Sequence, residues 1–197
     1  MGHWWVIVPF RAGTAKSRLS AYPAAQRADL ARSFARDTCA AAIDSSEVAG
    51  IIVIGDEVGV PGVPVVEDPG AGLNAALIRA ARDVPPGCGA VALMADLPAL
   101  RAEELTRALS VVPPSGRAFV CDAEGTGTTM LAAADPLMLD PRFGPRSRAA
   151  HAASGALEID VPGIPGLRRD VDDAVALWDA VRIGVGPGTR SVLARGR

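Results

Sequence analysis

Ala90-Val91-Ala92-Leu93-Met94-Ala95-Asp96-Leu97-Pro98 is the stretch on which the fold turns. Ala90 to Met94 is an unbroken apolar run with no polar alternation, the pattern of a strand buried on both faces. Such a strand belongs in the middle of a mostly parallel sheet flanked by helices. The run ends at Asp96, and a carboxylate at the end of a buried strand costs desolvation unless a cation or hydrogen-bond donors compensate.

Upstream, the spacing predicts a strand from Trp4 to Pro9, a polar loop from Phe10 to Ser20, and a long amphipathic helix opened by Pro23 and running to Ile43. Leu30, Phe34, Thr38 and Ala41 share its apolar face. A strand from Gly50 to Ile54, a Gly/Pro-rich link, a short strand from Pro64 to Val66 and a helix from Gly72 to Val84 complete the first half. Downstream follow a helix from Arg101 to Val111 and strands from Ala118 to Asp122 and Thr128 to Ala134, with a turn at Glu124-Gly125. Then come a loop from Arg142 to Ser147, a helix from Arg148 to Ser154, a strand from Leu157 to Val161, a helix from Asp173 to Arg182, and a tail with one more short helix. The sequence therefore reads as a single α/β domain over 1–197 with no internal repeat.

Composition narrows the function. With 20 basic and 22 acidic residues the net charge is -2, which gives no general basic field for nucleic acid or an anionic bilayer. No apolar run approaches the roughly 20 residues of a membrane span, and the start MGHWWVIVPF has no signal pattern, so a cytoplasmic protein is expected. Cys39, Cys88 and Cys121 are widely spaced in apolar stretches and read as reduced core thiols. Trp4 and Trp5 point to opposite sides of one strand, so one of them is open to a homodimer interface or covered by a second layer of helices.

In an open parallel sheet, ligands bind beyond the carboxyl ends of the strands. The loop after the first strand, Phe10-Arg11-Ala12-Gly13-Thr14-Ala15-Lys16-Ser17-Arg18-Leu19, has the composition of a polyphosphate clamp without the P-loop glycine spacing. Lys16 is the sole lysine of an arginine-rich chain, and a compact ammonium is not always replaceable by a planar guanidinium. Asp96 is separated from the next helix by Pro98, so it suits a hard divalent ion such as Mg²⁺ better than a helix cap. In Leu167-Arg168-Arg169-Asp170-Val171-Asp172-Asp173 the acids Asp170 and Asp172 share a face if the segment is extended, and Asp173 is the natural cap of the following helix. Asp68-Pro69-Gly70-Ala71-Gly72-Leu73-Asn74 leads into a helix amino end, where N–H groups favour an anion or a polar base edge. Two further glycine- and hydroxyl-rich loops, Asp122 to Thr129 and Arg142 to Ser147, bring backbone N–H groups toward anionic oxygens. The two histidines and three cysteines make no zinc spacing, and no Gly-x-Ser-x-Gly elbow is present.

Taken together, VPFRAGTAKSRLS, DPGAGLNAAL, LMADLPAL, GTGTTML, LDPRFGPRS and GLRRDVDDAVAL resemble the 2-phospho-L-lactate or phosphoenolpyruvate guanylyltransferases of deazaflavin coenzyme F-420 biosynthesis, over nearly the whole chain. The resemblance implies a GT-A-like (Rossmann-like) nucleotidyltransferase fold and transfer of GMP from GTP to a small phosphoacid, with release of pyrophosphate. The product would pass to the transferase that loads the acid onto the deazaflavin.

Carried over by motif, Asp96 and an acid of Asp170-Val171-Asp172 would hold Mg²⁺, and Thr128, Gly144 and Ser147 would hold the phosphoacid. Arg11, Lys16 and Arg18 would act on the triphosphate, with Gly72, Leu73 and Asn74 near the guanine or ribose. The family often has lysine at Arg11 and DVDT in place of Asp170 to Asp173. Resemblance to the arginine-rich members of the family implies phosphoenolpyruvate as the acceptor, with 2-phospho-L-lactate and 3-phosphoglycerate as alternatives. A molybdenum-cofactor guanylyltransferase is disfavoured by the lack of a Gly-Gly-rich first loop, and a non-catalytic GTP-binding homologue by the joint survival of carboxylates and clamp.

Overall fold

The computed structural model describes residues 4–12 and 18–195. Lys16, singled out above, lies outside the described residues. In chain order the first elements are β1 (Trp4–Phe10), α1 (Ala24–Ile43), β2 (Val48–Gly55), β3 (Val65–Val66), α2 (Leu73–Ala81), β4 (Gly89–Leu93) and α3 (Ala102–Leu109). They are followed by β5 (Arg117–Cys121), β6 (Thr128–Ala133), a 3-10 turn at Pro136–Met138, α4 (Ser147–Ala153), β7 (Leu157–Glu158), α5 (Pro165–Arg168), α6 (Ala174–Ile183) and α7 (Pro187–Arg195).

The seven strands form one sheet in the order β3-β2-β1-β4-β6-β5-β7. β1 runs parallel to both β2 and β4, while β6 is antiparallel to β4 and β5. The chain thus builds outward from β1 in two directions, and the crevice between the carboxyl ends of β1 and β4 is the switch point where α/β sheets place ligands. All five residues of β4 are buried, as its unbroken apolar run requires. Val91 and Leu93 enter the core on one face of the sheet, and Ala90 and Ala92 the core on the other. Each such valine or leucine contributes about 1.5–3 kcal/mol by leaving water.

α1 covers one face through Leu30, Phe34, Thr38 and Ala42, all fully buried at four-residue steps. Ala41, expected on that face, is only half-buried, because the stripe follows Ala42. Trp4 is buried and Trp5 half-buried. A Cβ at Gly89 would lie 2.4 Å from the Trp4 ring and one at Gly50 would lie 2.7 Å from the Trp5 ring, so each indole lies across a glycine of the neighbouring strand.

The remaining differences from the sequence reading have local causes. α2 stops at Ala81, with Arg82 to Val84 turning back through bonds to Arg79, Ala80 and Ala81 carbonyls. β7 is only two residues long, because Ile159 already leaves the sheet with a single bond to Phe119 O. α5 was not expected, and it forms because Glu104 caps it from α3. α7 is fixed to α1 by the buried Asp37 carboxylate, which accepts from Gly188 N (2.9 Å) and Thr189 N (2.8 Å). Cys39 and Cys121 are buried, Cys88 half-buried, and all three are free thiols. Among the described residues no helix is long and apolar enough to cross a membrane.

Candidate active site at the β1–β4 crevice

Asp96 stands three residues beyond β4, and its backbone is held from two directions. The buried Thr38 hydroxyl donates to Ala95 O (3.3 Å) and accepts from Leu97 N (3.2 Å), while Val171 N donates to Asp96 O (3.0 Å). That last bond joins the two acidic segments singled out in the sequence. Asp96 does not cap α3, whose N-cap is Arg101.

The second acidic segment is delivered by structural devices around it. Glu104, 5% exposed, accepts from Gly166 N (3.2 Å) and Leu167 N (2.8 Å). A Cβ at Gly166 would sit 2.1 Å from Ala99 O, so this close approach requires glycine. Arg168 bonds Ile159 O, Asp160 and the Cys121 sulfur, and Arg169 pairs with Glu124 and Asp179. The two arginines therefore anchor the segment, and Asp173 caps α6 by accepting from Ala176 N at 2.9 Å, as expected.

Between these anchors Asp170 is partly buried, and its Oδ1 is buried with no hydrogen-bond partner. Burial first, then the nearby charges of Asp96, Asp172, Glu124 and Asp122, push its pKa up to about 7. An unpartnered carboxylate oxygen among like charges is the signature of a group awaiting a cation. Asp172 is exposed.

Asp122 and Glu124 also approach Asp170, with ligand atoms of the three within 4.8 Å. Asp122, however, accepts from Thr126 N (2.8 Å) and Gly127 N (2.7 Å) and so closes the GTGT loop. Neither residue was proposed from sequence as a metal ligand, and their position at the end of β5 was the signal available.

Asp96 lines a cavity of about 310 Å³ together with Phe10, Arg11, Asp68, Gly72 and Leu73 among others, whereas Asp170 and Asp172 do not line it. Arg11 is held at its lip: Asp68 accepts from its Nε at 2.8 Å and meets its terminal nitrogen at 2.6 Å. The Gly70 amide and Arg11 together hold the Asp68 carboxyl below its ordinary pKa. Asp56 accepts from Ala12 N at 2.7 Å and so fixes the entry of the cationic loop. Arg18 is exposed next to the buried Leu19 and does not line this cavity.

The Asn74 amide is spent on the backbone of Phe143, donating to the carbonyl (3.0 Å) and accepting from the N–H (2.9 Å), and it does not line the cavity. It ties the amino end of α2 to the loop that carries Gly144 and Ser147.

That loop is strained. Asp140 (φ 41°) and Arg146 (φ 60°) are non-glycine residues in the left-handed region, a cost of about 1–3 kcal/mol each that tends to persist at binding sites. Gly144 has φ 137° and open space around its α-carbon. Ser147 is buried and is the first residue of α4, one position earlier than expected; the N-cap is Arg146, so Ser147 is not a helix cap. Its N–H already donates to Gly144 O (3.1 Å), which leaves the hydroxyl as its contribution to any ligand. Thr128 is also buried, at a register shift where β6 places one extra residue against Val120-Cys121. Its hydroxyl meets His151 Nδ1 at 2.9 Å.

No family model matches the chain. Over 210 residues it is 46% identical to the phosphoenolpyruvate guanylyltransferase of Streptomyces scabiei, with 98% of this chain and 96% of the relative covered. It is 47% identical over 198 residues to that of Salinispora arenicola, covering 94% and 91%. In fold it is similar to a nucleotidyl transferase from Methanothermobacter thermautotroptrophicus (TM-score 0.64, 18% identity, 93% and 98% covered). It is similar also to a Mycobacterium tuberculosis protein solved in complex with manganese (TM-score 0.58, 20% identity, 92% and 96% covered).

Proposed function

This chain belongs to the phosphoenolpyruvate guanylyltransferase family and is a nucleotidyltransferase, and from that membership we propose that it joins GMP, taken from GTP, to the phosphate of phosphoenolpyruvate. A phosphate oxygen of the acceptor attacks the α-phosphorus of GTP, the α–β anhydride bond breaks, and pyrophosphate leaves. The product is enolpyruvyl-2-diphospho-5'-guanosine, suited to a following transferase that moves the acid onto a deazaflavin. No general base is needed, because the nucleophile is already ionised. The observation that carries this reading is the unpartnered Asp170 oxygen within electrostatic reach of Asp96, which itself lines a cavity with a cationic lip.

Asp96 and Asp170 hold a divalent cation, Mg²⁺ in this reading, with the exposed Asp172 adding its charge nearby. When bound, the ion supplies the positive charge that lets two anionic phosphates approach. Arg11 binds the triphosphate from the cavity lip, and Lys16 and Arg18 complete the clamp from the same loop. Orientation and charge neutralisation then do most of the chemistry. Free thiols suit a cytoplasmic setting. The direct test is pyrophosphate release from GTP with Mg²⁺ and, in separate reactions, phosphoenolpyruvate, 2-phospho-L-lactate and 3-phosphoglycerate. Phosphoenolpyruvate should give the highest kcat/KM, and a preference for either other acid would reassign the acceptor.

Guanine specificity falls to the amino end of α2. The first N–H groups of a helix have no intrahelical partner, and at Gly72 and Leu73 they border the cavity. These N–H groups donate to the guanine O6, whereas the adenine amino group would face them donor to donor and leave buried groups unpaired. GTP should exceed ATP in kcat/KM by about three orders of magnitude or more. Comparable values would remove this helix end from base recognition.

Thr128, Gly144 and Ser147 form the acceptor pocket in this reading. Ser147→Ala should raise the KM for phosphoenolpyruvate about three- to thirtyfold, the loss of one hydrogen bond to a charged group, and leave the KM for GTP nearly unchanged. Because Ser147 is not the cap of α4, the melting temperature should change little. A stability loss with both KM values moved alike would sink the pocket assignment.

A further inference from the structure

We propose that His151 is a positioning residue of the acceptor pocket, fixing the 142–143 backbone through Nε2 and locking the Thr128 hydroxyl as a hydrogen-bond donor through Nδ1–H. This rests on the reading of Thr128 as an acceptor-binding residue. His151 is fully buried on α4 and spans two segments distant in sequence. Arg142 N lies 2.9 Å from Nε2, and a backbone N–H can only donate, so Nε2 carries the lone pair. In a neutral ring the proton must then reside on Nδ1, which donates to Thr128 Oγ1 at 2.9 Å. The hydroxyl oxygen is thereby engaged as an acceptor, and its own proton is left for another partner. A hydroxyl fixed in that sense favours an anionic oxygen, a carboxylate or phosphate, over any donor group.

The surroundings keep the ring neutral and in place. Phe119 lies at 5.7 Å and Phe143 packs edge-on at 5.0 Å, centroid to centroid. Burial and the charges of Arg117 and Arg142, only partly offset by Asp140 and by a ring hydrogen bond to the Ser147 backbone, lower the pKa to about 4. The same loop is gripped from the other side by Asn74 at Phe143, so two side chains with matched polarity define the backbone that leads to Gly144.

Two substitutions separate the two ends of the ring. His151→Asn keeps an amide N–H near the Nδ1 position and so retains a donor to Thr128, whereas His151→Gln keeps a polar acceptor near the Nε2 position and lacks that donor. Steady-state kinetics with GTP, phosphoenolpyruvate and Mg²⁺ should show His151→Gln raising the KM for phosphoenolpyruvate about tenfold. His151→Asn should recover most of that loss, and both should leave the KM for GTP within about twofold. Thr128→Val should produce a similar acceptor defect, and adding His151→Gln to it should produce little more, because the two residues act in one path. Equal defects in Asn and Gln variants that track the melting temperature, or defects of Thr128→Val and His151→Gln that multiply, would overturn the proposal.

The tautomer is also readable without disturbing the site. In long-range ¹H–¹⁵N spectra of a His3→Gln protein, which retains a single histidine, the ring should be the neutral Nδ1–H form at pH 7. An Nε2–H form or an imidazolium would overturn the proposal whatever the variants do. Absence of guanylyl transfer by the unsubstituted protein would instead fail the functional reading, while leaving the tautomer assignment to stand on the spectrum.

Discussion

Asp96→Asn should reduce kcat/KM at saturating Mg²⁺ at least a hundredfold, with the melting temperature almost unchanged. An amide keeps the shape of the side chain but replaces a charged oxygen ligand by a neutral one, which a hard cation binds weakly. The fold should tolerate the change because Thr38 and Val171 hold the local backbone. A variant retaining more than about a tenth of the original rate, a loss smaller than roughly 1.4 kcal/mol, would mean that Asp96 is not an essential ligand. Steady-state kinetics and a thermal melt on the same preparation decide the matter.

Asp170→Asn should abolish turnover comparably and yet stabilise the metal-free protein at pH 8. The folded-state pKa of Asp170 is raised to about 7 from an ordinary 3.8, so the folded chain binds a proton that the unfolded chain has released. Stability from this group is therefore highest below about pH 4, declines as pH rises toward 7, and is fully lost above it. A three-unit shift corresponds to about 4 kcal/mol at most; for a group still partly in contact with solvent, about 1–3 kcal/mol is the reasonable scale. Removing the charge should raise the melting temperature by several degrees at pH 8, and the gain should shrink as the pH is lowered to 5. Adding Mg²⁺ should stabilise the original protein and leave Asp170→Asn unmoved. A metal-free variant less stable than the original at pH 8 would show that the Asp170 charge is compensated within the protein.

The sheet was legible because its central strand leaves no ambiguity. Ala90 to Leu93 are buried on both sides, and the carboxylate that ends the run had to lie at the mouth of the sheet. The cap at Asp173 was equally legible, since capping is a matter of three adjacent residues. What could not be read was long-range pairing. The reversal of β6, the bulge that places Thr128 against His151, and the tie between Asn74 and Phe143, 69 residues apart, depend on which strands meet.

The same holds for the site. Asp96 was visible as a carboxylate at a strand end, and Asp170 as one of the alternating acids before a capped helix. Their supports Thr38 and Glu104 look, in sequence, like ordinary residues of two amphipathic helices. His151 was set aside because it matched no metal spacing, and nothing local reveals that both its nitrogens are engaged. Asn74 was placed near the nucleotide by motif resemblance, and its use of the amide on the Phe143 backbone emerges only from the fold. Alanine-rich helices and arginine abundance carry little positional information, so the ion pairs that aim the acidic segment, Arg168 with Asp160 and Arg169 with Glu124, emerge only from the fold.

Phosphorus-31 NMR of the protein with GTP, phosphoenolpyruvate and Mg²⁺ tests the proposed reaction most directly, because it distinguishes transfer from hydrolysis. The expected spectrum gains pyrophosphate together with the paired, mutually coupled resonances of an unsymmetrical diphosphate diester, in step with the loss of GTP and of phosphoenolpyruvate. GDP with free phosphate, or GMP with pyrophosphate while phosphoenolpyruvate stays intact, would contradict guanylyl transfer to this acceptor.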